Sequence, residues 1–350
     1  MRRGVKEKGA AYKVRPDQRS DPKPKSKLAR KLGQLRPSKG AFAKKPGIRQ
    51  PDGLLYLHDK QKAMGFADAP DVARIEAQPF LKWAGGKAQL LAQFDKFFPD
   101  RIDRYFEPFL GGGAVFFHLK RLFPHMVPHL RDNNAELINT YIAVRDFPNE
   151  LMRRLDAHLK AFKAERERYY YLIRSQHHVP EKEIVERAAR MIFLNKTCFN
   201  GLWRVNACGQ FNVPIGSHKN PALYDRDNLL AANWALRNAH LAVQDFRDTL
   251  NETRKGDFVY IDPPYFPVSA TASFTSYTKE DFGAGEQEEL AALFADAARR
   301  GVRLMLSNSD TTFIEKLYRD FKPKTVRARR AISCNGATRG KINELVVTSC

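Results

Sequence analysis

Residues 104–122 read RYFEPFLGGGAVFFHLKRL, and this stretch decides how the chain is organised. Its first residues are apolar and aromatic, as in a buried strand. Gly111, Gly112 and Gly113 follow, and the residues after them have the apolar spacing of a helix. Glycines allow the backbone to pass close to a ligand, and the start of a helix favours a polar or negative group. We therefore predict a strand, a ligand-binding turn and a helix.

The next predicted strand lies in VPHLRDNNAELINTYIAV at 127–144 and ends in Asp132. This acid comes 21 residues after Gly111, the spacing at which an acid binds ribose hydroxyls in dinucleotide folds. The loop and the acid together favour an adenosine-containing ligand, either a dinucleotide or S-adenosylmethionine. A tight turn without a ligand is the alternative.

The alternation of strand, loop and helix continues towards the C-terminus. KGDFVYIDPPYFPVS at 255–269 and VRLMLSNSD at 302–310 are apolar strands that end in polar residues. Residues 329–347 alternate around Asn335-Gly336 as a terminal antiparallel pair does. Strand–loop–helix units in series predict an α/β fold with a parallel, doubly wound sheet.

Residues 140–248 break this rhythm. Long charged helices are expected at 151–173 and 185–195, and a polar, glycine-bearing stretch follows at 195–221. We interpret 140–248 as an inserted, mainly helical domain. The sheet domain is then built from 77–139 and 249–350.

The positive charge of the chain is concentrated at its N-terminus. The net charge is +21, and residues 1–50 hold 17 Lys or Arg against 3 acids. This region is rich in Lys, Pro, Gly and Ser, a composition typical of disorder. We predict that residues 1–76 are a basic, disordered arm that binds a phosphate backbone without sequence preference. A solubilising tail is the alternative.

The composition also argues against several classes of protein. No run of about 18 apolar residues is present, so no membrane span is expected, and no secretory signal is visible. Cys198, Cys208, Cys334 and Cys350 form no C-x-x-C pair, so neither a disulfide scaffold nor a zinc site is indicated. We expect a protein of the reducing cytoplasm.

A second glycine motif, Trp83-Ala84-Gly85-Gly86-Lys87, superficially resembles a P-loop. It lacks the required glycine, because Lys82 stands five residues before Lys87, and Ala88 replaces the Ser or Thr that should follow. A nucleoside triphosphatase is therefore disfavoured. Lys87 can still bind a carboxylate, and Trp83 can cover an apolar or cationic group.

A set of motifs in fixed order carries a family resemblance. The motifs are FLKWAGGK, EPFLGGGAVF, LRDNN, NGLWRVN, GQFNVP, IDPPY, SNSDTTF and RRAISCNGATRGKINEL. With this set, the chain resembles the Dam-type DNA adenine methylases, the α-group in the D12 class of N6-adenine methyltransferases, from about Pro79 to Ser349. The segment SATASFTSY at 269–277 is most similar to members that methylate GATC.

The resemblance implies a Rossmann-like, S-adenosylmethionine-dependent methyltransferase sheet with an inserted target-recognition domain at 140–248. It implies S-adenosylmethionine as methyl donor, double-stranded DNA as substrate, and no metal. By motif match, the residues expected at the donor are Trp83, Lys87, Phe109, Gly111, Gly112, Gly113, Asp132 and Asp262.

The sequence Asp262-Pro263-Pro264-Tyr265 suits transfer to adenine N6. This nitrogen is a poor nucleophile because its lone pair is delocalised into the ring. The Asp262 carboxylate and the Pro263 carbonyl can grip its two hydrogens, and the Tyr265 ring can stack on the base. We expect a direct in-line transfer that depends on positioning and electrostatics. Without the resemblance, these residues would be an ordinary strand end with a solvated aspartate.

The target nitrogen lies inside a duplex, so the base must be flipped out. Phe199, where the family often has tyrosine, and Asn200 are expected to fill the gap. Arg204 can pair with a guanine edge. The other expected DNA contacts are Lys82, Leu202, Asn206 and Pro214. Without the resemblance, each of these side chains would be interpreted as an ordinary core or surface residue.

Several alternatives remain open from the sequence. The enzyme could methylate another site, RNA or another amino group such as cytosine N4, or it could be an inactive DNA-binding homologue. A Rossmann oxidoreductase would have no use for Trp83–Lys87 or for the prolines after Asp262. We expect a bacterial or phage-encoded, nucleoid-associated protein that acts as a monomer or weak dimer on DNA.

Overall fold

The computed structural model describes residues 76–177, 179–267, 282–329 and 341–349. The chain divides into two units, Met1–Asp59 and Lys60–Cys350. The first unit lies outside the described residues. So do nearly all of the predicted basic arm, the SATASFTSY segment and the turn at Asn335-Gly336.

Seven strands form one sheet in the order β3-β2-β1-β4-β5-β7-β6. The strands are β1 Arg104–Glu107, β2 Val127–Asp132, β3 His240–Val243, β4 Phe258–Ile261, β5 Arg303–Ser309, β6 Lys324–Arg329 and β7 Lys341–Thr348. The first five are parallel, whereas β7 runs antiparallel to both β5 and β6. The predicted α/β class and terminal antiparallel pair are confirmed, although β6 begins at Lys324, upstream of the predicted pair.

Ten α-helices lie in the described part of the chain. They are α1 Leu91–Phe94, α2 Ala114–Leu122, α3 Ala135–Asp146, α4 Pro148–Ala164, α5 Arg166–Arg174, α6 Ile184–Thr197, α7 Arg226–Leu236, α8 Phe246–Asn251, α9 Ala284–Arg299 and α10 Thr312–Leu317. Polar caps explain several starts. The Asn134 side chain, for example, accepts the backbone N–H groups of Glu136 and Leu137 and so begins α3 right after β2.

The core sits around the middle of the sheet. Every residue of β4 is buried, which explains its unbroken apolar sequence, because a central parallel strand is covered on both faces. Val259 and Leu304 pack in one cluster with Leu290 and Phe294 of α9.

The parallel strands end at the same edge of the sheet, and this edge positions the site. The chain winds from β1 to β2 and β3 on one side and from β4 to β5 on the other, so the crevice between the ends of β1 and β4 is a topological switch point. Ile261 pairs with Leu306, which places Asp262 beside Ser307.

The predicted inserted segment is not separate from the sheet throughout. β3 lies within 140–248 yet pairs with β2, and the limit drawn at 139 cuts through α3. Sequence reasoning missed β3 because this edge strand is only four residues long and exposed at both ends. Residues 240–248 therefore belong with the sheet; that the rest of the segment recognises DNA stays a prediction.

Across the ranges that the structure describes, no helix is both long and apolar enough to cross a bilayer.

Candidate active site

The glycine loop between β1 and α2 is shaped by close approach of other side chains. Gly111 has a φ of +47° and Gly113 a φ of +67°, a region that side chains disfavour. A Cβ on Gly111 would lie 2.7 Å from Cδ1 of Trp83, and one on Gly113 would lie 2.7 Å from the Tyr141 hydroxyl. The loop therefore needs glycine, and the Trp83 indole lies against its backbone.

Asp132 holds this loop from the end of β2. Its Oδ2 accepts the Gly111 N–H at 3.0 Å, and its Oδ1 accepts the Asn134 N–H at 2.9 Å. Burial raises the pKa of Asp132 to about 6, against these two hydrogen bonds, which lower it. Each oxygen keeps a second lone pair, so the acid can hold the loop and still accept hydrogen bonds from a ligand.

Asp262, at the end of β4, is paired with Lys87. The Lys87 Nζ lies 2.8 Å from Oδ2 of Asp262 and donates to the Gly85 carbonyl at 2.5 Å. The Ser307 hydroxyl donates to Oδ1 at 3.0 Å. Burial raises the pKa of Asp262, whereas Lys87 and Ser307 hold it down.

Tyr265 is fixed by a residue from a distant strand. Its hydroxyl donates to Oε2 of Glu344 on β7 at 2.6 Å, and Lys87 Nζ lies 4.7 Å from its ring centre. The Pro264 carbonyl accepts from Gln287 at 2.8 Å. Among the described residues, no protein donor bonds the Pro263 carbonyl oxygen, which leaves that atom available as an acceptor.

The charges at this edge are unbalanced. Asp262 and Glu344 both interact electrostatically with Lys87, and Glu107 interacts electrostatically with Asp132 and Asp262. Burial raises the pKa of Glu107 well above its ordinary value, although the Tyr105 hydroxyl donates to it at 2.7 Å. An acid-rich pocket of this kind suits a positively charged ligand.

Sequence reasoning missed three residues that hold the site together: Ser307, Gln287 and Glu344. A signal existed for two of them. Ser307 interrupts an apolar strand, and Glu344 immediately precedes the buried apolar run Leu345–Val347. Polar residues at such positions are buried only with partners.

Phe109 lies beside the site in an aromatic cluster. It stacks on Phe246 at 5.5 Å between ring centres and meets Phe282 edge-on at 5.6 Å. The ring therefore packs against the core while the adjoining glycine loop turns away from it.

The predicted recognition residues form a projecting turn after α6. Phe199 is 48% exposed, which is unusual for a large apolar side chain, and its N–H donates to the Pro214 carbonyl at 2.9 Å. Asn200 has a φ of +55°. The turn thus presents an aromatic ring and an amide side by side.

Arg204 lies on a small hairpin beyond this turn. Val205 and Phe211 form an antiparallel bridge, and the rings of Trp203 and Phe211 pack 4.8 Å apart. Arg204 is exposed and donates through Nε to Oδ1 of Asn212 at 2.8 Å. That bond fixes the direction of the guanidinium group and leaves its outer nitrogens as donors.

The other predicted DNA contacts differ in setting. Lys82 and Pro214 are exposed and Leu202 is half-buried. Asn206 closes the hairpin turn, because its Oδ1 accepts the N–H groups of Cys208 and Gln210. Its side chain therefore has a structural use that the sequence did not reveal.

With this geometry established, comparison with known proteins identifies the family. Residues 83–332 match the family of D12 class N6 adenine-specific DNA methyltransferases. The chain belongs to this family.

Similar proteins agree with the assignment. The type II methyltransferase M1.LlaDCHI of Lactococcus lactis subsp. cremoris is 40% identical over 281 residues, which cover 79% of this chain and 96% of the relative. The type II methyltransferase M.MjaIII of Methanocaldococcus jannaschii is 41% identical over 277 residues, covering 76% and 96%. The DNA adenine methylase of Haemophilus influenzae is 34% identical over 274 residues, covering 78% and 94%. The chain is therefore an adenine-specific DNA methyltransferase.

Membership of the D12 family implies S-adenosylmethionine as methyl donor, and the residues present fit it. The Asp132 carboxylate, which accepts the Gly111 N–H, keeps lone pairs as acceptors for ribose hydroxyls. The surplus of acids suits the positive sulfonium. Trp83, Lys87, Asp132 and Asp262 are thus brought to one edge of the sheet of this D12 methyltransferase.

In the described parts of the D12 methyltransferase, no three His, Cys, Asp or Glu side chains are grouped as a metal site requires.

Proposed function

We propose that this D12 methyltransferase flips adenine out of GATC sites in duplex DNA and methylates its N6. One observation carries the proposal. Asp262, Pro263 and Tyr265 follow β4 at the switch point of the sheet, where Lys87 holds the Asp262 carboxylate and Glu344 holds the Tyr265 hydroxyl.

The donor side of the reaction needs only positioning from the protein. Bound at the glycine loop, S-adenosylmethionine supplies a methyl group on a positively charged sulfur. Asp132 would hold the ribose, and Trp83 would cover the donor from above the loop. Lys87 favours the ionised form of Asp262, because its ammonium lies 2.8 Å from the carboxylate.

The adenine side depends on two acceptors of fixed position. The Asp262 carboxylate already accepts bonds from Lys87 and Ser307 and has further lone pairs for one N6 hydrogen. The Pro263 carbonyl accepts the other. This grip turns the nitrogen lone pair out of the ring plane and towards the methyl group, so preorganised acceptors provide the catalysis.

Tyr265 provides the surface on which the flipped base stacks. Its hydroxyl is tied to Glu344, and Lys87 lies over its ring, so the ring is in place before the base arrives. After transfer, the N6 cation is strongly acidic and loses its proton through Asp262 or directly to water.

The turn and hairpin after α6 supply the readout. Phe199, which is 48% exposed, fills the gap left by the base, with Asn200 beside it. Arg204 forms a bidentate pair with a guanine edge. Lys82, Leu202 and Pro214 contact neighbouring base pairs of the site. Asn206 stabilises the hairpin next to the DNA backbone.

The choice of GATC rests on the sequence of the recognition segment and of residues 269–277. Methylation of another site, or of cytosine N4, is the competing reading, since the same acceptor pair suits any exocyclic amine. We propose that the enzyme works in the cytoplasm as a monomer on double-stranded DNA, modifying one strand at a time.

A set of short duplexes tests the proposal. One duplex carries GATC, and the others carry a single substituted base pair. We expect transfer to GATC to exceed transfer to every substituted site by at least about fivefold, the effect of about 1–3 kcal/mol per lost base contact. Equal transfer to all of them would exclude GATC readout.

The same duplexes test the role of Arg204 in base recognition and the flipping of the target base. Arg204→Ala should relax discrimination at one base pair, whereas Arg237→Ala should not, because Arg237 is an exposed arginine just after α7 and outside the hairpin. A 2-aminopurine placed at the target adenine should brighten on binding because it leaves the stack. Unchanged fluorescence would argue against flipping.

A further inference from the structure

The side chain of Asn195 joins two loops that are far apart in the sequence. Its Oδ1 accepts the Lys82 N–H at 2.9 Å, and its Nδ2 donates to the Lys82 carbonyl at 2.8 Å. The second Nδ2 hydrogen goes to the Gly201 carbonyl at 3.0 Å. Asn195 is fully buried near the end of α6, so these bonds have no competition from water.

The first loop leads straight to the donor site. Lys82 precedes Trp83, whose indole lies against Gly111, and the same loop continues to Lys87, the partner of Asp262. A ligand that seats this loop therefore also fixes the backbone of Lys82.

The second loop leads straight to the DNA-reading turn. Gly201 closes the turn that presents Phe199 and Asn200, and the Arg204 hairpin begins shortly after it. A Cβ on Gly201 would lie 2.5 Å from Cδ of Lys82. The two loops are thus in direct contact, and Asn195 bonds both backbones where they meet.

We infer that Asn195 is a positioning residue that couples the donor site to the DNA-reading turn. Seating of the donor loop holds the Lys82 backbone and, through Asn195, the Gly201 turn. Specific DNA then binds more tightly when the donor site is filled. The inference rests on the proposed function, since it takes the two loops as donor and DNA sites.

Such coupling is reciprocal, so filling either site must raise the affinity of the other by the same factor. Loss of the Asn195 side chain leaves the Lys82 N–H and the Gly201 carbonyl without this partner. Each loop can then move without the other, and the factor by which one ligand raises the affinity of the other falls towards one.

Binding of a GATC duplex with and without saturating S-adenosylhomocysteine measures the factor directly. For the natural protein we expect a gain in DNA affinity of about fivefold or more, the usual range for coupled sites. Asn195→Ala should bring it within about twofold of one. Asn233→Ala is the matched control, because Asn233 also bonds two carbonyls, those of Val144 and Arg145, away from both loops.

The inference is overturned if the natural protein shows no coupling between the two sites. It is also overturned if a folded Asn195→Ala variant keeps the same coupling factor as the Asn233→Ala control. Loss of coupling in Asn195→Ala alone supports it. Thermal unfolding of both variants shows that they are folded.

Amide hydrogen exchange of the natural protein provides a test that needs no variant. S-adenosylhomocysteine should slow exchange at residues 82–90 and also at 199–206, but not on α5. Protection confined to 82–90 would overturn the coupling and leave the proposed function intact. Binding without protection at 82–90 would contradict the proposed donor site and, with it, the inference.

Discussion

The acids of the site have distinct environments that assign them distinct tasks. Asp132 is bonded by backbone amides, whereas Asp262 is bonded by an ammonium and a hydroxyl. Glu344 reaches the site from β7 and binds Tyr265. Asp132 is suited to a neutral hydroxyl partner, and Asp262 is suited to a reacting amine.

The titration of Asp132 makes donor affinity depend on pH. Because burial raises its pKa to about 6, the ionised acceptor is present above that pH and is lost as the pH falls through it. We expect the affinity for S-adenosylhomocysteine to be constant near neutrality and to weaken below about pH 6. Calorimetric titration across this pH range measures the affinity. Asp132→Asn should remove the decrease in affinity at acid pH, the acid limb of the profile. An identical limb in the variant would assign the titration elsewhere.

Removal of Glu344 should disturb the stacking ring without touching the reacting atoms. Glu344→Ala leaves the Tyr265 hydroxyl without its acceptor, so we expect kcat/KM to fall about tenfold, in line with the cost of one buried unpaired group. Glu344→Gln keeps an acceptor and should recover most of the loss. Steady-state kinetics on a GATC duplex measures both. Equal activity of the two variants would show that the hydrogen bond does not position Tyr265.

Among the elements, the glycine loop and its helix carry the most specific sequence information. The strand, the three glycines, the helix α2 and the acid at the end of β2 could all be predicted, because each follows from local composition and spacing. The edge strand β3 could not, since four residues that are exposed at both ends are too few to show a strand period. The bonds of Asn195 to Lys82 and of Tyr265 to Glu344 cross 113 and 79 residues, and no local pattern reports them.

Substitution in the glycine loop should cost stability and donor affinity together. Gly113→Ala forces a side chain at a φ of +67° and within 2.7 Å of the Tyr141 hydroxyl, so we expect a loss of about 1–3 kcal/mol in unfolding free energy. Gly285→Ala on α9 meets nothing within 4 Å and should stabilise by about 0.5 kcal/mol. Denaturant unfolding with each variant gives both values. A neutral Gly113→Ala would mean that the loop relaxes freely.

On the scale of the whole molecule, the N-terminal region differs from the catalytic unit in its high positive charge. The relatives are covered over almost their full length by about three-quarters of this chain, so a substantial part of it has no counterpart in them. Most of the net charge of +21 lies in residues 1–50. We propose that this basic region adds sequence-independent attraction for DNA to the methylating unit.

Deletion of residues 1–75 should weaken DNA binding and flatten its salt dependence. Each lost phosphate contact reduces the slope of log K against log salt by about 0.9. Site choice and the rate of methyl transfer at saturating DNA should stay the same, because the matched family region begins at residue 83. Fluorescence titrations at several salt concentrations measure the slope. An unchanged slope would leave the arm without a role in DNA binding.

The most direct measurement is a map of modified bases in a bacterial host that lacks adenine methylation of its own. Expression of the natural protein should place N6-methyladenine at GATC throughout the chromosome, and expression of Asp262→Ala, which removes the acceptor, should leave the DNA unmodified. N6-methyladenine at another sequence would contradict the assigned site. Modified cytosine, or full methylation by Asp262→Ala, would contradict the assigned chemistry.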